Sequence, residues 1–539
     1  MARGSLDHYI LTIAVEDYFH VAALRGAVRD AHWSRLEPRL ERNLDATLDL
    51  LARHGAKATF FVFGRIAETE PELVRRIADA GHEVASRGYW PRATTGICKD
   101  EFLEDLHRAR KAIEEAGGNR VIGFRSATWI GASELWKLDV LAEEGYVYDA
   151  SINPRLWSFA GHPECDGIYS HRRGERTLWE FPVATVGPRW LRLPVTGGNY
   201  IRQIPHGLLR PLVAHAARRA RLPLVFYFMP WELDSDQPQI QGLSSLQRLR
   251  HYRNLGKARW VMSDYLSRHR FVGIADHLGL AYPPLEPRAP LSPDASGRTL
   301  VTSGEPVTLV IPIYNEEKNV AYLRRTLREF RARLAGRYRV HLMLVDDCSK
   351  DGTAAELQRQ FGKASDCRIV RHDTNRGVAA AIMTGIREAQ TELVCSIDCD
   401  CSYDPAVLES MLPLARTADL VTASPYHPEG RVRNVPGWRL FLSKSLSRLY
   451  SAVLRERIFT YTSCCRVYRR ERMLGLELRH GGFLGTAEML IRTKLLGGRI
   501  VEVPATLESR LLGESKMKVA RTIGGHLGLL SELLRRGDA

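Results

Sequence analysis

No stretch of this 539-residue chain approaches the roughly 20 uninterrupted apolar residues of a membrane-spanning helix. Its start, MARGSLDHYILTIAVEDYF, offers only a few apolar residues before Glu16 and Asp17, too few for a secretory leader, so the chain reads as cytoplasmic. The nine cysteines are odd in number and include no CxxC pair, which speaks against a disulfide framework and against a zinc knuckle. Cys395, Cys399 and Cys401 alternate along an apparent strand end, Cys464 and Cys465 are adjacent, and all five read as small buried thiols. Acidic charge is in deficit. The excess of 77 Lys and Arg over 62 Asp and Glu gives a net charge of +15, and an anionic partner follows. Nucleic acid, an anionic membrane surface and phosphorylated substrates all satisfy that condition.

With 45% hydrophobic and 26% charged residues the chain is globular, and it is too long for a single core. The Pro-, Ser- and Gly-rich stretch PPLEPRAPLSPDASGRTLVTSGEP has no sustained period and marks a linker at 284–305, between domains at 1–283 and 306–539. Both flanks alternate apolar runs of strand length (HYILTIAV, ATFFVFG; VTLVIPIY, RVHLMLVDD) with amphipathic helical segments, so two α/β domains are expected.

In the second half, three apolar strands end in polar residues, where ligands of open α/β sheets bind. The first ends in Pro312, Tyr314, Asn315 and Glu316, the second in Asp346 and Asp347, the third in Asp398, Cys399 and Asp400. Residues two apart in an extended strand end point the same way, so Asp398 and Asp400 can face one hard cation, Mg²⁺ or Mn²⁺, that bridges a diphosphate. A lone DxD is usually a solvated turn. Three carboxylate-bearing strand ends in order are much harder to dismiss.

The ordered stretches VIPIYNEEKNV, VDDCSKDGT, RHDTNRGVAAAIMTGI, SIDCDCSYDP, YTSCCRVYRRE, GTAEMLIR and EVPATLESRLLGESKMK resemble family 2 glycosyltransferases of the GT-A (Rossmann-like) fold, closest to the polyprenyl-phosphate, or dolichol-phosphate mannose synthase, branch. That resemblance implies transfer of a sugar with inversion from a nucleotide-diphosphate donor, a GDP- or UDP-sugar, to a lipid-phosphate or glycan acceptor, with nucleic acid no partner. It puts Asp346 and Asp347 at the donor nucleotide, Asp398 and Asp400 at metal and diphosphate, and Asn375, Arg376 and Gly377 in the loop before the donor-side helix. Glu488 matches the acidic residue of the acceptor-side motif and is the base candidate for a hydroxyl acceptor. Arg510, Ser515 and Lys516 match a phosphate-neutralising segment. Pro425 and Ala487 depart from the branch, where Arg and Gln are usual. Two amphipathic segments could lie on an anionic membrane surface or pack on the domain: NVPGWRLFLSKSLSRLYSAVLRERIF, and a terminal one carrying Ile523, Leu527, Leu530 and Leu534 beside Arg521, Arg535 and Arg536.

The first half carries AVEDYFHV, ATFFVFGRIAETEPELVRRIADAGHEVASRGY, VIGFRSATWI and FYFMPWELDSDQPQ, and resembles polysaccharide deacetylases of the exopolysaccharide-associated subgroup, which implies a distorted (β/α) barrel. The family's chemistry needs a metal held by an acid and two histidines, a carboxylate base and a histidine acid. Here the base position is Ala14, the metal histidines are Arg87 and Pro91, and the final histidine is Met229; Glu16, Asp17 and Arg125 remain. Neither a metal nor deacetylation is expected in this half. Tyr89, Trp90, Trp129 and Arg87 are candidates for holding a glycan instead. The expected protein is a glycosyltransferase of polysaccharide or glycolipid synthesis, on the inner face of the membrane, whose first half binds the acceptor or is scaffold. The alternatives are a bifunctional deacetylase and transferase, and a non-catalytic glycan-binding scaffold.

Overall fold

The computed structural model describes residues 8–91, 95–117, 120–155, 159, 167–188, 192–220, 223–280, 304–513 and 524–532. Ser515, Lys516, most of the 284–305 linker, and Arg521, Ile523, Leu534, Arg535 and Arg536 lie outside the described residues. The chain divides into two units: Met1–Arg29, Pro38–Pro238 and Leu243–Pro293 form one, and Asp30–Glu37, Gln239–Gly242 and Asp294–Ala539 the other.

The strands of the first unit are β1 (His8–Val15), β2 (Thr59–Val62), β3 (Glu83–Ser86), β4 (Gly123–Phe124), β5 (Tyr148–Asp149), β6 (Tyr169–Arg173), β7 (Arg176–Glu180), β8 (Thr185–Val186), β9 (Leu193–Pro194), β10 (Val225–Phe228) and β11 (Arg270–Val272). Nine make one sheet in the order β10-β1-β2-β3-β4-β5-β7-β6, with β11 also on β1, and β8 and β9 form a separate ribbon. Every residue of β2 (TFFV), β3 (EVAS) and β10 (VFYF) is buried, as a parallel sheet covered on both faces requires. The helices Leu40–Arg53, Pro71–Asp79, Lys99–Glu115 and Trp136–Glu143 alternate with the strands, and the antiparallel β6–β7 hairpin closes the run. This is a distorted (β/α) barrel whose strand path ends at β10 and β6.

The second unit has β12 (Glu305–Ile313), β13 (Tyr338–Asp346), β14 (Cys367–Arg371), β15 (Leu393–Ser396), β16 (Leu420–Ser424), β17 (Arg431–Arg433), β18 (Arg466–Arg469), β19 (Ile500–Pro504) and β20 (Thr506–Glu508). Seven form a sheet in the order β14-β13-β12-β15-β18-β16-β19, and β17 pairs with β20. Alternation along β12 fixes its two faces. Val307, Leu309, Ile311 and Ile313 share a core with Val320, Leu323, Leu327, Phe330 and Leu334 of helix Glu317–Leu334, whereas Val310 packs with Ile382 and Ile386 of helix Val378–Glu388. The arrangement is that of a GT-A domain: β12, β13 and β15 run parallel, so their carboxyl ends share one edge, and the antiparallel β18 brings its own amino end to it.

Candidate functional site

Register sets what meets at that edge. Asp346 ends β13 opposite Ile313 of β12, and Ser396 of β15 pairs with Arg466 of β18, which carries the preceding Cys464 alongside. Strand β15 stops at Ser396, so Asp398 and Asp400 are not on an extended strand end as the sequence suggested. They occupy a turn closed by the Cys401 N–H donating to the Asp398 carbonyl at 3.1 Å, with Cys401 itself in the left-handed region at φ +53°. The turn still joins the two carboxylates electrostatically. Desolvation, reinforced by the charge of Asp400, raises the Asp398 carboxyl above the usual range, against the opposing pull of Cys464 and Arg510.

Arg510 spans the cluster. Its Nη2 lies 2.7 Å from Asp400 Oδ2 and its Nη1 3.3 Å from Glu316 Oε1. Burial opposes the guanidinium charge, but Asp400 and Glu316 together hold its pKa above the ordinary value. Asp400 Oδ1 accepts from the Ser402 N–H at 2.9 Å and from its hydroxyl at 2.6 Å, which fixes the rotamer. Among the described residues no group of three or more His, Cys, Asp or Glu side chains forms a protein-only metal cage. Two carboxylates without a cage fit Mg²⁺ or Mn²⁺, which keep several positions for water and substrate phosphates.

The residues after β12 are ordered by the second strand's turn. Asn315, at φ +53°, donates its N–H to Ser349 Oγ at 2.8 Å and accepts from the Lys350 N–H at 2.6 Å. Tyr314 and Glu316 flank it half-buried, and Pro312 is buried within β12. Asp346 accepts from the Ser349 N–H at 2.9 Å through Oδ1, while Oδ2 has an ion-pair contact of 3.3 Å with Arg371 Nε. Asp347 turns elsewhere. It accepts from the Arg376 N–H at 2.8 Å, the Gly377 N–H at 2.7 Å and His372 Nδ1 at 2.7 Å, so it shapes the donor-side loop. Asn375 donates to the Asp347 carbonyl at 3.4 Å, and the Asn375 and Arg376 side chains stay exposed.

That loop docks on the acceptor-side motif through two glycines. A Cβ on Gly377 would stand 2.6 Å from the Gly481 carbonyl oxygen, and one on Gly481 would stand 2.0 Å from that of Arg376. The Ala380 N–H donates to Gly481 O at 2.9 Å. Beyond Gly481, Glu488 of helix Phe483–Leu495 accepts from the N–H groups of Arg479 and His480, from His480 Nδ1 at 3.0 Å and from Arg492 Nε at 2.6 Å. Although burial pushes the Glu488 carboxyl up, these donors hold its pKa below the ordinary value. A weakened base saturated with donors is poorly suited to deprotonate a hydroxyl. His372, His480, Arg492 and Gly481 were not singled out from sequence; the only available signal was their position inside or beside the quoted motifs.

In the first unit the residues following β1, β3, β4 and β10 converge at the carboxyl ends of parallel strands. Ala14 is buried in β1 opposite Phe61. Glu16 accepts from Arg87 Nη2 at 3.1 Å, both side chains being almost fully buried. Asp17 accepts from the N–H groups of Tyr18, Arg39 and Leu40 at 2.7–3.0 Å and is a backbone cap. Pro91 is buried, and Met229 donates its N–H to Glu232 at 3.1 Å. Tyr89, expected to meet a glycan, is instead a core residue whose hydroxyl donates to Glu68 and whose ring lies under Arg108. Trp90 and Trp129 remain half-buried.

Family profiles match separate stretches of the chain. The profile of Glycosyl transferase family 2 matches residues 308–473, that of Polysaccharide deacetylase residues 33–139, and a domain of unknown function (DUF3473) residues 150–278. The chain is 32% identical over 217 residues to the undecaprenyl-phosphate mannosyltransferase of Micrococcus luteus, covering 39% of this chain and 87% of that protein. It is 34% identical over 224 residues to the polyprenol monophosphomannose synthase of Mycolicibacterium smegmatis, covering 39% of this chain and 80% of that protein. A solved structure from Mycobacterium smegmatis, provisionally assigned as a polysaccharide deacetylase, matches at 21% identity and TM-score 0.34 over 53% of this chain and 96% of its own; that likeness adds no weight to the strand order above. By its relatives the chain belongs to glycosyl transferase family 2, with a polysaccharide deacetylase-like domain in the same polypeptide.

Proposed function

We propose that the chain is an inverting hexosyltransferase that moves a sugar from a nucleoside-diphosphate donor to a polyprenyl phosphate on the inner face of the membrane. The convergence of Asp398, Asp400, Glu316 and Arg510 at one sheet edge carries this reading. A divalent cation held by Asp398 and Asp400 would supply charge neutralisation at the departing diphosphate. Arg510 adds a fixed cation beside them, and Asp346 offers its Oδ2 to the donor nucleoside. Asp347 holds the Arg376–Gly377 turn against the acceptor-side motif, which keeps donor and acceptor in register. The acceptor follows from Glu488. A phosphate oxygen is already anionic and needs no base, which suits an acceptor-side carboxylate held below its ordinary pKa, and the curated relatives are named for polyprenyl-phosphate acceptors.

Access to such a lipid has a surface to match. Helix Gly437–Leu454 buries Ser447 and Tyr450 but exposes Trp438 (53%), Phe441 (71%) and Leu449 (50%), with Lys444 and Arg448 beside them. No helix among the described residues is long and apolar enough to cross a membrane. An apolar stripe edged with cations suits an interfacial helix on anionic lipid.

The first unit, in this reading, keeps the deacetylase frame without its hydrolytic machinery and binds a glycan. The deciding experiment incubates the whole protein with GDP- and UDP-hexoses, Mg²⁺ or Mn²⁺, and a short polyprenyl phosphate. Lipid-linked sugar that disappears in Asp400→Asn supports the proposal; unchanged transfer by that variant refutes the metal assignment. Acetate release from an acetylated oligosaccharide would overturn the reading of the first unit.

A further inference from the structure

Two arginines meet where the first unit would otherwise hold a metal. The Arg87 N–H donates to Val62 O and the Arg125 N–H to Ser86 O, each at 2.9 Å, so both residues extend the ladder just past the ends of neighbouring parallel strands. Both are nearly inaccessible, at 5% and 4% exposure. A guanidinium has five N–H donors. Among the described residues Arg87 gives one to Glu16, and its Nε is enclosed without an acceptor. Arg125 gives one to Thr12 Oγ1 at 3.1 Å, and that hydroxyl itself donates to Phe226 O. No carboxylate among the described residues lies within ion-pair distance of Arg125, whose guanidinium is instead packed against Tyr227 and Trp129 at 4.6 and 4.9 Å.

The neighbouring acids are engaged elsewhere. Asp149 is bonded by Ser151, and Glu16 pairs with Arg87 at 3.1 Å. Desolvation and the charge of Arg87 lower the Arg125 pKa to about 10, which leaves it cationic at neutral pH. A buried cation with a neutral acceptor is expensive unless a counter-charge arrives.

We propose that Arg87 and Arg125 form an oxyanion subsite that receives the carboxylate or phosphate group of an acidic glycan, with Trp129 against the sugar ring. This rests on the reading that the first unit binds a glycan without deacetylating it. Guanidinium forks match carboxylate and phosphate geometry, and a half-buried indole offers a sugar-stacking face. Metal-dependent hydrolysis has no part in it.

Calorimetric titration of the whole protein with D-glucuronate, glucose 6-phosphate and glucose tests the subsite. The two acidic sugars should bind at least tenfold more tightly than glucose, and whichever binds tighter identifies the anion. The preference should disappear in Arg125→Gln and Arg87→Gln, both confined to the first unit; a preference that survives both substitutions places the binding in the second unit and overturns the subsite. Should Arg125→Gln fail to fold, Arg125→Lys keeps the charge but loses the fork, and a preference reduced by fivefold or more has the same meaning. Equal binding of all three sugars overturns the subsite while leaving glycan binding intact, and binding of none overturns both.

Discussion

The contact between Gly377 and Gly481 makes a strong demand on sequence, and Gly377→Ala tests it. Gly377 sits at φ +92° and ψ 164°, a region occupied almost only by glycine, where a side chain costs on the order of 1–3 kcal/mol. The new Cβ would also lie 2.6 Å from Gly481 O and 2.7 Å from Gly482 Cα, both backbone atoms that cannot rotate aside. The loops must therefore part, which stretches the 2.7 Å bond from the Gly377 N–H to Asp347 and the 2.9 Å bond from the Ala380 N–H to Gly481. A bond to a charged acceptor contributes about 1.5–3 kcal/mol, so the total loss should reach about 3–5 kcal/mol. Urea unfolding should report that decrease. Calorimetric binding of GDP and UDP with Mn²⁺ should weaken at least tenfold if, as the proposed function has it, the same loop borders the donor. Gly437→Ala is the control, since nothing lies within 4 Å of a Cβ there. Gly377→Ala within twofold of wild type in nucleotide binding, with unchanged unfolding, would refute the docking of these loops as a determinant of the site.

Glu488→Gln should lower unfolding stability by about 2 kcal/mol while transfer to a lipid phosphate stays within about fivefold, as expected for loss of charge-assisted bonds rather than of a base; a hundredfold fall in kcat at unchanged stability would make it the base after all. His251, stacked on Trp231 at 4.4 Å, has its pKa lowered to about 3 by burial and by Arg202. Below pH 6.5 the unfolded chain takes up a proton that the folded one refuses, so His251 alone should cost about 2 kcal/mol of stability between pH 7 and 5, and His251→Gln should remove that part of the slope in urea titrations. Trp438→Ser with Phe441→Ser should abolish flotation with phosphatidylglycerol vesicles at low salt, and a wild-type protein that never floats would count against the interfacial helix.

Much of the second unit was legible because its signals are local. Apolar strand runs of regular spacing gave the GT-A frame and its carboxyl edge. The reading failed where it relied on period. Cys399 and Cys401 are not strand residues, since β15 ends at Ser396 and the acids sit in a turn with a left-handed residue. Nor was there any sign in the sequence that the fold brings residues 376 and 377 within reach of the Asp347 oxygens. In the terminal segment Leu530 is buried and Leu527 is 54% exposed, a division that helical spacing alone did not make.

The sequence by itself determined the two α/β domains and the family of the second, because those depend on residue type and order. Tertiary structure alone decided which charges meet. Glu16 has Arg87 for a partner, Arg125 has a threonine hydroxyl, Arg510 bridges Asp400 and Glu316, and Glu488 is saturated by a loop eight and nine residues before it. A side chain's chemistry is set by the donors and acceptors within about 3 Å of it, and along a folded chain those come mostly from residues distant in sequence.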